Sequence, residues 1–116
     1  MKINPENGYI TLTDLANQIL LPKMSIEQVE ALGFDVQTNS GRTFMNIRQK
    51  TLPTIYAEFT DRKLTLVSIH RDLTSSTIGQ NLLNTFGIEA KAYSWGEVKT
   101  GVIPQQGEGW LSVNYY

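Results

Sequence analysis

The stretch Pro53-Thr54-Ile55-Tyr56-Ala57-Glu58-Phe59, then Thr60-Asp61-Arg62-Lys63, then Leu64-Thr65-Leu66-Val67-Ser68-Ile69-His70 decides the fold. Two runs rich in β-branched and aromatic residues flank a short polar segment, which is the pattern of a β-hairpin. The spacing predicts strands over 53–59 and 64–70 joined by a four-residue loop at 60–63. In that register Phe59 faces Leu64, Ala57 faces Leu66 and Ile55 faces Ser68. One face is then apolar and supports the pairing. Pro53 fits only a strand start or a sheet edge, because it lacks the N–H that a central ladder needs.

Working outward, Thr43 to Arg48 reads as a strand before the hairpin, and 88–98 and 109–116 read as two more after it. Thr100 to Glu108 is rich in Gly and Pro and reads as the loop between those last two. A short extended segment opens the chain at 8–12. Three helices are expected between the strands. Thr13 can cap the first, with Asp14 in its first turn and Leu15, Ile19 and Leu20 as its apolar stripe; Pro22 ends it. The second, over about 26–32, has the clearest local signal. Ser25-Ile26-Glu27-Gln28 is a capping box, Met24 and Val29 are placed as a hydrophobic staple, and Gly33 follows as a left-handed cap. Thr74-Ser75-Ser76 offers a cap for the third, with Ile78, Leu82, Leu83 and Phe86 as the buried stripe and Gly87 as the stop. The order β-α-α-β-β-β-α-β-β predicts an α+β fold, an antiparallel β-sheet with about three short helices packed mainly on one face. No repeat or linker composition divides residues 1–116, so a single domain is expected.

The composition restricts the chemistry. The chain has 116 residues, a net charge of −1, an apolar fraction of 41% and no cysteine. A chain of this length suits one domain with its own core. Without cysteine there is no disulfide, no thiolate nucleophile and no Cys-type zinc site. One histidine makes a multi-histidine metal site untenable, so neither metal nor cofactor is expected. A charge near zero argues against direct nucleic-acid binding, which favours a basic face. Met1 to Gly8 lacks the apolar stretch of a signal peptide, and Ile19-Leu20-Leu21 falls far short of the ~20 residues that span a bilayer. The expected location is therefore the cytoplasm, with no membrane contact.

Enzymatic motifs are sparse. His70 is the single side chain whose ordinary pKa suits proton transfer near neutrality. It could act with Asp72 or Glu58 in a small hydrolase, although the hairpin register turns Glu58 away from it. No nucleophile elbow, phosphate-binding loop or calcium loop is written in the chain. The aromatic residues Tyr93, Trp95, Trp110, Tyr115 and Tyr116 instead crowd the last quarter. Tyr93 and Trp95 share one strand face, Trp110 and Tyr116 another. A sheet covered on one side cannot bury them all, and Trp and Tyr are the favoured anchors of protein interfaces. Asp61, Asp72, Glu97 and Glu108 sit in turns or at strand edges, where carboxylates suit a basic partner.

The segment Leu21 to Val29, then Leu32-Gly33, a meander of strands, a helix ending at Phe86-Gly87, Tyr93-Ser94-Trp95-Gly96 and a closing strand ending in Tyr115-Tyr116 resembles, in layout and size, small bacterial immunity proteins. Those paired with contact-dependent growth-inhibition toxins are included. The resemblance implies a non-enzymatic inhibitor that binds a cognate toxin domain, a basic one with a nuclease among the candidates. On that reading the toxin-binding residues are Asp61, Tyr93, Trp95, Glu97, Glu108 and Trp110, in a monomer or weak homo-oligomer. A phage-derived structural or accessory protein that self-associates through a strand edge is the remaining alternative.

Overall fold

The computed structural model describes residues 1–48, 54–72, 86–103 and 108–116, with the side chains of 70–72, 102, 103 and 108 left aside. The described chain is mostly β, in two antiparallel sheets. Strands β1 (Lys2–Ile3), β2 (Ile10–Leu12) and β3 (Gln18–Leu20) form a small meander. Strands β4 (Gln37–Asn39), β5 (Arg42–Ile47), β6 (Ile55–Thr60), β7 (Lys63–Asp72), β8 (Gly96–Ile103) and β9 (Glu108–Tyr115) form a six-stranded sheet in the order β4-β5-β6-β7-β9-β8. Among the described residues one short helix, α1 (Ile26–Ala31), stands between the two sheets in sequence.

The expected α+β fold with three helices is corrected here. The first helix is absent: residues 13–17 form turns and 18–20 form β3. Ala16 and Asn17 both take positive φ (56° and 57°), outside the range of a right-handed helix. The stripe Leu15, Ile19, Leu20 is misleading. Ile19 is 44% exposed and Leu20 is fully buried, the alternation of a strand rather than the common face of a helix. Pairing Ile10 with Leu20 and Leu12 with Gln18 buries Ile10, Leu12 and Leu20 together, and that tertiary gain outweighs the local cap at Thr13. The third expected helix lies outside the described residues except for its end. There Phe86 is fully buried in the core and Gly87 takes φ +71°.

The second helix forms as read. The Gln28 N–H donates to Ser25 Oγ at 3.1 Å, and the Ser25 N–H donates to Gln28 Oε1 at 3.0 Å. Gly33 adopts φ +96° beyond the C-terminus. Val29 and Ile26 face the core. The helix is stitched to the central hairpin: the Ile26 N–H donates to Arg62 O at 3.1 Å, the Leu64 N–H to Met24 O at 2.8 Å, and Arg62 pairs with Glu27.

The hairpin itself differs from the expected register in two ways. Its connection is a two-residue turn, Asp61-Arg62, with φ of 51° and 64°, and Thr60 pairs with Lys63. A bulge then intervenes. Phe59 pairs with Leu64 as expected, but Glu58 pairs with Leu66, Ala57 with Val67 and Ile55 with Ile69. Thr65 is the extra residue, and its hydroxyl donates to Glu58 O at 3.3 Å. The slip sends Leu66 to the face opposite Leu64 and brings Val67 and Ile69 inward.

Two further boundaries move. Residues 88–95 are not a strand; β8 starts at Gly96 and runs to Ile103, four residues into the expected loop. Gly96 permits this close approach, since a Cβ there would lie 2.3 Å from the Asn114 backbone oxygen. One core cluster joins both sheets and α1, including Ile3, Ile10, Leu20, Val29, Met45, Ile55, Val67, Leu111 and Val113. By alternation, the inner face of the large sheet is apolar and covered. Its outer face holds Phe44, Asn46, Tyr56, Glu58, Leu66, Glu97, Lys99, Trp110, Ser112 and Asn114.

Candidate functional site

The aromatic residues expected to form one binding surface divide into two groups. Tyr93 and Trp95 precede β8 and pack against the core. Their rings stack at 4.9 Å, and Trp95 leans on Tyr115 at 5.8 Å. The Trp95 indole N–H donates to Pro5 O at 3.0 Å, and the Tyr115 hydroxyl donates to Gly8 O at 2.7 Å. Both bonds run from the end of the large sheet to the β1–β2 connection. Gly8 has φ +75°, and a Cβ on it would lie 2.4 Å from the Trp95 ring. Tyr93 is tied in turn, its hydroxyl donating to Glu89 O at 2.8 Å, with Lys91 Nζ 5.1 Å from its ring centre. Burial pushes the Tyr115 phenol far above its ordinary pKa. This group is a clasp between the two sheets.

Trp110 belongs to the second group, on the outer face, with Phe44, Tyr56 and Leu66. Among the described residues none of these four packs against the core cluster. Phe44 and Tyr56 sit on neighbouring strands with their rings 5.8 Å apart. The Tyr56 hydroxyl donates to Glu58 Oε2 at 3.0 Å. Desolvation first, and the Glu58 carboxylate second, raise the Tyr56 pKa. Trp110 lies over Gly101 of β8, where an added Cβ would come within 2.7 Å of the indole. The Thr100 hydroxyl donates to the Trp110 backbone oxygen at 2.7 Å and holds that strand pair. Among the described residues the Trp110 indole N–H has no hydrogen-bond partner, in contrast to that of Trp95. Two strand spacings and two residues along β9 separate Tyr56 from Trp110, roughly 12 Å.

The expected carboxylates are dispersed. Glu97 is on the outer face but already pairs with Lys99 at 3.2 Å. Its position is four residues along β8 from Gly101, so roughly 13 Å from the Trp110 register. The Glu108 backbone is opposite Asp72, and its side chain lies outside the described set. Asp61 sits in the β6–β7 turn, exposed, at the far end of β7 from the Trp110 register. The residues that the sequence reading omitted are Phe44, Tyr56 and Leu66. Tyr56 and Glu58 were legible as the alternate face of a strand whose other face is Ile55, Ala57 and Phe59. Leu66 was not, because its orientation depends on the bulge.

The alternative pair His70 and Glu58 is also resolved at the level of the backbone. Glu58 pairs with Leu66, four residues from His70 on β7, roughly 13 Å away. The His70 backbone stands opposite Trp110, and its side chain is outside the described set. Among the described residues no group of His, Asp and Glu is arranged to hold a metal ion, and no helix is long and apolar enough to cross a membrane. Comparison with protein-family models, with curated proteins and with solved structures finds no match.

Proposed function

We propose that the chain is a non-enzymatic immunity-type inhibitor that binds a cognate bacterial toxin domain through the outer face of its six-stranded sheet. One observation carries the reading: among the described residues, Phe44, Tyr56, Leu66 and Trp110 stand on that face without packing against the core cluster, and the Trp110 indole N–H has no partner there. Rigid aromatic rings on a β-scaffold bury area at little cost in conformational entropy, and an unused indole donor supplies direction. Serines and asparagines between them give adaptable hydrogen bonding.

The contact set of this proposal is therefore Trp110, Tyr56, Phe44 and Leu66, with Glu58 and Glu97 at the margins. Tyr93 and Trp95 belong to the clasp between the sheets and lie outside this contact set. Glu97 and Glu58 already have partners, so binding draws on aromatic burial more than on charge. An interface of that kind loses little association rate as salt rises.

Co-expression with the product of the adjacent upstream reading frame, followed by native mass spectrometry and a growth assay, tests the reading. A one-to-one complex with growth rescued is the expected result. No complex and no rescue would overturn it and return attention to self-assembly or to chemistry at His70.

A further inference from the structure

Strand β5 has an unfinished edge. The Ser40-Gly41 turn has φ of 54° and 79°, so Asn39 and Arg42 form the hydrogen-bonded pair that closes a two-residue hairpin. Alternation then makes Phe44 and Gln37 the next such pair. The backbone N–H and C=O groups of Arg42, Phe44, Asn46 and Arg48 consequently point to the β4 side. Strand β4 begins at Gln37, however, and pairs with β5 no further than Phe44. Phe34 and Val36 pack against the core, which draws the preceding chain away from the sheet edge. Asn46 and Arg48 thus have no backbone partner on that side among the described residues.

The departure opens a groove of about 440 Å³ beside Asn46. Leu15, Phe34 and Ile47 give it apolar lining, and Asp35 and Arg48 bring one charge of each sign. Neither charge has an ion-pair partner among the described residues. Free edge amides beside an apolar groove are the elements of recognition by strand addition, in which backbone bonds give affinity and side-chain pockets give specificity.

We infer that this groove receives an extended segment of a partner protein, hydrogen-bonded to the backbone of Asn46 and Arg48. An apolar side chain of that segment lies against Leu15, Phe34 and Ile47, flanked by a cation at Asp35 and a carboxylate at Arg48. The inference does not depend on the open-face reading, because it uses a different edge of the molecule and a different mode of contact.

The probe is the capped peptide acetyl-Thr-Lys-Thr-Leu-Thr-Glu-Thr-amide, whose Lys, Leu and Glu share one face when extended. It is titrated into the ¹⁵N-labelled full chain and followed by amide shifts and hydrogen exchange. Shifts centred on 35–37 and 46–48 are expected, with exchange at the Asn46 and Arg48 amides fast in the free protein and about tenfold slower at saturation. Asp35→Lys and Arg48→Glu should each weaken binding by about tenfold. Asn46→Pro should abolish it while leaving the β5–β6 amides protected, because it removes only an outward N–H on an edge strand. Three results would each overturn the inference: no shifts up to about 5 mM peptide, full affinity in the Asn46→Pro variant, or amides at Asn46 and Arg48 already protected in the free protein. Protection that grows with protein concentration would make the occupant a second copy of this chain and would equally overturn it.

Discussion

Trp95 and Trp110 are fifteen residues apart in sequence and stand in opposite circumstances. Around Trp95 every polar group of the ring system is used: the indole N–H reaches Pro5 O, the ring covers Gly8, and Tyr115 beside it reaches Gly8 O. Trp110 lies on an outer strand position over Gly101, apart from the described core, and among the described residues its N–H has no partner. The same residue type holds two sheets together in one place and presents a surface in the other. A tryptophan whose donor is satisfied within the fold contributes to stability. One whose donor is unsatisfied and whose ring is partly open has its contact energy still available to a partner.

Substitutions can break this contrast. The largest expected effect is at the clasp. Trp95→Ala removes ring packing and a hydrogen bond and should cost about 3 kcal/mol, lowering the midpoint of thermal unfolding by roughly 12 °C or more. Gly8→Ala should do at least as much, because it forces a Cβ into the Trp95 ring at an already positive φ. A stable Gly8→Ala protein would show that the clasp is not needed. Next comes Trp110→Ala, expected to weaken partner binding by about 2 kcal/mol, some thirtyfold by titration calorimetry.

Tyr115→Phe sharpens the comparison through pH. Its hydroxyl bond to Gly8 should be worth about 1 kcal/mol. The folded phenol holds its proton above the ordinary 10.0, whereas the unfolded one releases it near that value. The unfolded state therefore binds fewer protons above pH 10. The stabilisation is complete below pH 10.0 and declines as pH rises past it. Tyr56 acts in the same direction. Denaturant titrations from pH 8 to about 11 should show a steep alkaline loss in the parent chain and a shallower one in Tyr115→Phe. Equal slopes would refute the assignment of that loss to Tyr115. The smallest expected effect is that of Trp110→Ala on folding itself, under about 1 kcal/mol.

The contrast also shows what could be read beforehand. The antiparallel pairing of the two central strands (though not their register), the capping box at Ser25 and the closing strand were legible because short-range signals and the final structure agree there. The first helix was misread because Leu15, Ile19 and Leu20 satisfy a helical spacing by accident. Only the partner strand at Ile10–Leu12 reveals that Ile19 faces outward. Leu66 was misassigned for a related reason. A single bulge at Thr65 inverts the side chains from Leu66 to Ile69, and the sequence marks it only by Leu64, Val67 and Ile69 breaking period two. The division of the aromatics was the least accessible part. Pro5 O and Gly8 O, the acceptors that retain Trp95 and Tyr115, lie 90 and 107 residues away along the chain. Nothing local to Tyr93-Ser94-Trp95 records them.

The most direct test of the open-face account compares Trp110→Ala/Tyr56→Ala with Trp95→Ala in co-expression with the upstream product, measuring complex by native mass spectrometry and folding by denaturant titration on the same preparations. The account predicts that the outer-face double variant stays within about 1.5 kcal/mol of the parent in stability yet loses the complex. It also predicts that whatever Trp95→Ala protein remains folded still binds. An outer-face variant that keeps the complex at full strength would contradict it.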